Sequence, residues 1–209
     1  MTAKKAPRKA EVVRKTRETS IRLQLSLDEP YPSKVETGVG FFDHMLTALA
    51  KHGRMGLIVE AEGDLHVDQH HVVEDVGIVL GSALREALGE DLRIRRFAHA
   101  YAPLDDALAR AVVDVSGRAF LHYGVTPSRP LVGSFDTDLV REFWRAFASN
   151  ALLNLHLDLI HGENAHHQIE AVFKAAALAL GEAVLRVPGL GDAPSTKGTL
   201  SERAARRVE

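Results

Sequence analysis

Hydrophobic positions along the chain follow two periods in turn. Ile21, Leu23, Leu25 and Leu27 are separated by polar residues, the period-two pattern of a half-buried strand. A short extended piece is expected around Val35. Gly38 and Gly40 then interrupt the chain, and Phe42, Met45, Leu46 and Leu49 recur at three- and four-residue steps, which predicts a helix ending near Gly53. Leu57, Val59 and Ala61 predict another strand. After it, Val72, Val73, Val76, Val79, Leu80, Leu84 and Leu88 form the apolar stripe of a longer helix that stops at Gly89.

The same order of types then returns. Strands are expected over about 108–115 and 119–123 and a helix over about 139–148. An alternating strand at Leu153, Leu155, Leu157 and Leu159 leads through Gly162 to a last helix. The chain therefore reads as ββαβα twice: an α+β fold of two duplicated half-domains packed about a pseudo-twofold, each sheet covered by helices on one face. Residues 1–16, basic at Lys4, Lys5, Arg8 and Lys9 with no apolar run behind them, read as a flexible tail. The first half then covers 17–93 and the second 94–187. Residues 188–209, which include GLGDAPSTKG, read as a C-terminal loop and tail.

Length and composition narrow the function. The 209 residues suffice for one domain or two small halves, and a net charge of −2 removes the simple nucleic-acid reading. The longest apolar stretch, 173–185, is broken by Lys174, Gly181 and Glu182, short of the ~18 residues a membrane span needs, so a soluble, cytoplasmic protein is expected. Gly38 and Gly40 match half of a dinucleotide fingerprint but lack its third glycine, and read as a tight turn with no nucleotide implied. With no cysteine, a disulfide framework, a thiolate zinc site and a cysteine nucleophile are excluded, so any metal must be held by nitrogen and oxygen. The chain has 11 histidines with which to do so.

Four of them form the clearest internal repeat, His70-His71-Val72-Val73-Glu74 and His166-His167-Gln168-Ile169-Glu170. On a helix, positions i and i+4 share a face while i+1 is rotated by about 100°. His70 pairs with Glu74 and His166 with Glu170, while His71 and His167 point elsewhere. If the halves pack about a twofold, His70 and Glu74 meet His167, and His166 and Glu170 meet His71. Two metal ions follow, each with two imidazoles and one carboxylate. His44 and Glu142, in the helices upstream of each motif, are the quasi-equivalent fourth ligands. Such sets suit manganese, iron or zinc, and an octahedral site with two open positions suits manganese best. His52, His66, His99, His122, His156 and His161 show no ligand pattern and read as ordinary surface or core residues.

At these motifs the sequence resembles the imidazoleglycerol-phosphate dehydratase family. The resemblance runs through RETSI (17–21), TGVGFFDHML (37–46) with His52, HHVVEDVG (70–77), SGRAF (116–120), GENAHHQIEAVFKA (162–175) and PSTKG (194–198). It implies two Mn²⁺ per active site and trimers assembled into a 24-subunit homo-oligomer with active sites between subunits. The implied reaction is loss of water from D-erythro-imidazoleglycerol 3-phosphate, the sixth step of histidine biosynthesis. One metal falls to His44, His71, His166 and Glu170, the other to His70, Glu74, Glu142 and His167. Many relatives carry His where this chain has Glu142, which makes that metal site harder. Glu18 is implied as acid/base and substrate contact, and His52, Arg96, Arg118, Lys174, Ser195, Thr196 and Lys197 as substrate-binding residues. Asp105 and Asp106 read as the end of a turn, without a role. Two other functions fit paired metals, a dinuclear phosphate-ester hydrolase and a non-catalytic metal-binding shell. The carboxylates are few for the first, and the basic residues have no use in the second.

Overall fold

A computed structural model describes residues 6–29, 33–90 and 93–189. The first half runs β1 (Lys9–Lys15), β2 (Thr19–Ser26), β3 (Lys34–Glu36), α1 (Gly40–Gly53), β4 (Gly56–Gly63) and α2 (His70–Leu88). The second runs β5 (Phe97–Leu104), β6 (Ala107–Asp114), β7 (Phe120–Gly124), a small hairpin of β8 (Leu131–Val132) and β9 (Phe135–Asp136), α3 (Leu139–Ala151), β10 (Asn154–His161) and α4 (Ala165–Ala183). The four-stranded sheets have matching orders, β1-β2-β4-β3 and β5-β6-β10-β7. In each, the last pair is parallel and the others antiparallel. The duplication expected from the hydrophobic pattern is thus present strand for strand.

Each four-stranded sheet nevertheless holds one strand more than expected, and the extra strands β1 and β5 lie at sheet edges. Residues 9–15 are therefore not a flexible tail: β1 pairs with β2 along its whole length, from Lys9 opposite Ser26 to Lys15 opposite Ser20. Its inward positions Ala10, Val12 and Arg14 are only half-buried, and its other face carries charge, as edge strands often do. In β5 the inward residues are the small Ala98, Ala100 and Ala102, while Phe97, His99 and Tyr101 face out, so the usual polarity of the alternation is reversed. The β8–β9 hairpin is likewise new and has no counterpart in the first half. The last part of the proposed C-terminal loop, including Ser195, Thr196 and Lys197, lies outside the described residues.

Helices α1 and α2 lie on the first sheet, α3 and α4 on the second, and the two pairs pack crosswise, α1 on α4 and α2 on α3. Exchanging the halves turns one contact into the other, the relation expected of a pseudo-twofold. The α2·α3 crossing is close because Gly77 and Gly81 present no side chain: a Cβ at Gly77 would stand 2.7 Å from the Phe143 carbonyl and one at Gly81 2.5 Å from that of Phe147. Around the crossings Phe42, Phe143, Trp144, Phe147 and Phe173 are fully buried and stack edge to face or offset. Burying each such side chain contributes about 1.5–3 kcal/mol relative to exposure. The same packing brings the N-terminal turns of α2 and α4 beside the partner helices α3 and α1. Among the described residues, no helix is long and apolar enough to cross a membrane.

Candidate metal centre

The two His-His pairs sit in the first turns of α2 and α4, each fixed by a short polar side chain two residues before it. Asp68 accepts from the backbone N–H of His70 at 2.7 Å, and Asn164 from that of His166 at 2.9 Å, the usual way to satisfy free N–H groups at a helix start. The first turn of α1 is held differently. Asp43 accepts from both the N–H and the hydroxyl of Thr37, at 2.9 and 2.6 Å, and Gly38 between them takes φ +77°. This clamp accounts for the TGVGFFDHML run and positions His44.

Among the described residues two groups of donor atoms converge, each with all its ligand atoms within 4.8 Å of one another: His44, His166 and Glu170, and His70, Glu74 and Glu142. In the first, His44 Nε2 and His166 Nε2 both lie 3.1 Å from the same oxygen, Oε2 of Glu170. In the second, His70 Nε2 is 3.8 Å from Glu74 Oε2. Each group draws on both halves, because the crosswise helix packing carries His44 to α4 and Glu142 to α2. Mixed imidazole and carboxylate donors at this spacing fit a borderline divalent cation. Burial alone would raise the Glu170 carboxyl, but hydrogen bonds from Lys174 and His44 outweigh it and bring it down to about 2, so this oxygen donor is ionised at neutral pH.

His71 and His167 belong to neither group, contrary to the expected cross-half partition. Each is turned away and held at Nδ1 by a carboxylate, Asp64 at 2.9 Å and Asp106 at 2.5 Å. That leaves Nε2 of each as the nitrogen available to a ligand, the arrangement by which an outer carboxylate orients a metal-binding imidazole. The Asp64 hydrogen bond raises the His71 pKa. His167, with backbone N–H groups of Asn164 and Glu163, drives the Asp106 carboxyl far below the usual carboxylate range. Asp106 therefore does more than end a turn, and Asp64 is a residue that sequence reasoning missed. The β5–β6 turn that carries Asp106 is the counterpart of the β1–β2 turn that carries Glu18, a correspondence visible only once strands β1 and β5 are in place.

Glu18 is exposed in that β1–β2 turn, where its carbonyl accepts from the Asp64 N–H at 3.1 Å and its charge acts on His71. Buried Asp75 anchors the turn on α2, accepting from the Thr19 hydroxyl at 2.5 Å and pairing with Arg14 at 3.1 Å. Glu18 thus stands beside His71 rather than at either converging group. Lys174 and His52 extend the first group along the α1·α4 contact: Lys174 Nζ is 2.7 Å from Glu170 Oε1, and burial, then Lys174, hold the His52 pKa down.

The remaining basic residues lie apart. Arg96 precedes β5 and forks onto Asp114 at the end of β6, at 2.7 and 3.2 Å. Arg118 is exposed just before β7, its carbonyl held by Asn154 at 2.9 Å. Both occupy the end of the second sheet opposite the Asp106 turn, separated from it by an eight-residue strand, about 26 Å of chain. Within one chain they are not brought to the imidazole groups.

Comparison with known proteins gives one answer. The family model for imidazoleglycerol-phosphate dehydratase matches residues 37–180. A relative of that name from Streptococcus mutans is 52% identical over 193 residues, 92% of this chain and 100% of its own, and one from Aminomonas aminovorus is 54% identical over 194 residues, with the same coverage. The crystal structure of imidazoleglycerol-phosphate dehydratase from Staphylococcus aureus superposes with TM-score 0.79 at 44% identity, covering 86% of this chain and 99% of that one. The Pyrococcus furiosus structure, in complex with (S)-C348, gives the same TM-score at 34% identity, covering 90% of this chain and 100% of that one. The chain belongs to the imidazoleglycerol-phosphate dehydratase family, a family of hydro-lyases.

Proposed function

We propose that this chain is a manganese-dependent dehydratase of the cytoplasm that converts D-erythro-imidazoleglycerol 3-phosphate to imidazoleacetol phosphate and water in histidine biosynthesis. The observation that carries the reading is the pair of donor groups shared between the halves, together with two imidazoles pre-oriented by Asp64 and Asp106. Two Mn²⁺ per active site would be held by His44, His166 and Glu170 with His71, and by His70, Glu74 and Glu142 with His167. Because His71 and His167 face away from the groups of their own chain, the fourth ligand comes from a neighbouring copy. This agrees with trimers assembled into a 24-subunit shell with active sites between subunits. The exposed Phe97, Tyr101, Val112, Phe120 and Ile160 on the outer face of the second sheet also suit burial against another copy.

Manganese held by these residues would supply Lewis acidity toward the substrate's imidazole. The chain's own residues handle the protons and the phosphate. Dehydration removes a proton from the carbon next to the one losing its hydroxyl, and the departing oxygen takes up a proton. Glu18, exposed beside the Asp64–His71 pair, exchanges one of these protons. Lys174 and His52 line the first group, and Lys174 supplies a point charge for the phosphate. Arg96 and Arg118, remote from the groups of their own chain, serve the site of another copy with Ser195, Thr196 and Lys197.

The test is a coupled one on purified protein loaded with manganese. Metal stoichiometry, particle mass and imidazoleacetol phosphate formation are measured together. About two Mn²⁺ per chain with turnover is expected. Two metals without turnover would overturn the dehydratase reading.

A further inference from the structure

The second donor group contains a cation that neither the repeat nor the resemblance explains. Arg145, on α3, places one guanidinium nitrogen 2.5 Å from Glu142 Oε2 and 3.5 Å from Glu74 Oε1. It therefore joins the two carboxylates of that group across the α2·α3 contact, which a simple i,i+3 pair on one helix surface does not do. In the first group the corresponding position on α1 is Thr47, whose hydroxyl donates to the Asp43 carbonyl at 2.8 Å. The cation there is Lys174, from the partner helix, and it sits on Oε1 of Glu170 while both imidazoles face Oε2. The position in α2 that matches Lys174 is Ile78. Among the described residues each group thus has one cation, and the two come from non-equivalent positions. Lys174 meets the single carboxylate of its group, whereas Arg145 bridges two carboxylates that come from different helices.

We propose that Arg145 is a positioning residue that tunes the second metal site. When no divalent cation is bound, its guanidinium neutralises Glu74 and Glu142 and holds them together. A divalent cation entering the group must share those carboxylates with it, so Arg145 weakens binding there while keeping the site assembled. The two carboxylates repel each other without a cation, and a fixed positive charge beside an incoming dication opposes it. The proposal rests on the metal-site reading above.

The test titrates Mn²⁺ alone into the metal-stripped full-length protein, wild type, Arg145→Gln and Arg145→Lys, by calorimetry and by the electron paramagnetic resonance of unbound Mn²⁺. Glu142→Gln identifies which binding step belongs to the second group. In Arg145→Gln the second step is expected to tighten roughly three- to tenfold, the scale of one unit charge at a partly screened site, with the first step unchanged. The metal-free variant should melt at lower temperature than wild type and gain more on adding Mn²⁺, since binding to the folded state alone raises stability. Arg145→Lys should stay close to wild type in both. An unchanged or weaker second step in Arg145→Gln overturns the proposal. Absence of Mn²⁺ binding by the wild type overturns the metal-site reading and the proposal with it, and that control separates the two failures.

Discussion

The donor groups at the α1·α4 and α2·α3 contacts are built on the same backbone plan and filled with different charge. Both begin with a histidine pair in a helix first turn, an Asx side chain two residues before it and a carboxylate one turn further on. The member contributed by the partner half is His44 in one and Glu142 in the other, so one group holds a single carboxylate and the other two. The supports diverge further. His71 is held from the end of β4 by Asp64, and His167 from the β5–β6 turn by Asp106, places that do not correspond in the repeat. Duplication fixed where the ligands stand, while the residues that orient and neutralise them were recruited separately.

The largest effect should come from removing the charge of a ligand carboxylate, and a ligand exchanged between the groups should cost much less. Glu170→Gln removes the carboxylate charge that His44 and His166 share, and turnover should fall by more than about a hundredfold, beyond the usual cost of losing an outer partner of a metal site. Glu142→His gives the second group the imidazole-rich composition of the first, and Mn²⁺ affinity there should stay within about tenfold of wild type with turnover retained. Metal titration and a product assay on both variants check this. If Glu142→His abolishes turnover, the two groups are not interchangeable.

Next come the orienting carboxylates. Asp64→Asn and Asp106→Asn should each weaken Mn²⁺ binding by about 10–100-fold, one per site. Asp106 also accepts the backbone N–H groups of Glu163 and Asn164, so its variant should in addition lose stability, visible in denaturant unfolding of the metal-free protein. Asp64, with no comparable backbone role, should not. Equal loss of stability would mean that the two supports do the same structural work. Lys174→Ala should come after these. With a charge-assisted contact to the phosphate removed, KM should rise about tenfold while manganese content changes little. Equal loss of metal would make Lys174 a partner of Glu170 only.

Much of this comparison was legible in the sequence. The helix periods follow from apolar stripes, and the pairing of His70 with Glu74 and His166 with Glu170 from helix geometry, whereas the placing of His44 and Glu142 in opposite groups came from the family resemblance. What escaped does so for physical reasons. Edge strands β1 and β5 bury half of one face at most, so β1 shows charge where a strand pattern needs apolar residues, and β5 hides alanines while exposing aromatics. Asp64 and Asp106 reach histidines through tertiary folding, and a lone aspartate near a turn has the same local pattern whether it ends a strand or aims an imidazole. His71 and His167 leave their helices about 100° from the ligand face and are held there by those two aspartates, so within one chain neither reaches the group expected for it.

The edge strands supply a last comparison. Arg8 precedes β1 as Arg96 precedes β5, and the carbonyls of both accept from the residue after the neighbouring strand, Leu27 and Val115, at 3.0 and 3.1 Å. Arg8 is 7% exposed, forks onto Asp28 and reaches the Val184 carbonyl at 2.7 Å, tying β1 to the end of α4. Arg96 makes the matching fork onto Asp114, so it has a clamping role of its own besides any contact with phosphate. Hydrogen bonds from Arg8 lower the Asp28 pKa, burial opposing them. A carboxylate depressed on folding contributes stability that is present above its unfolded pKa, about 3.9, and is lost as pH falls through the folded value. Asp28→Asn should therefore cost about 1–2 kcal/mol at neutral pH, and the gap from wild type should close as the pH drops below about 4. Urea unfolding at a series of pH values measures it. A gap that persists unchanged into acid would make Asp28 a neutral hydrogen-bond acceptor in effect, and the clamp a matter of geometry rather than charge.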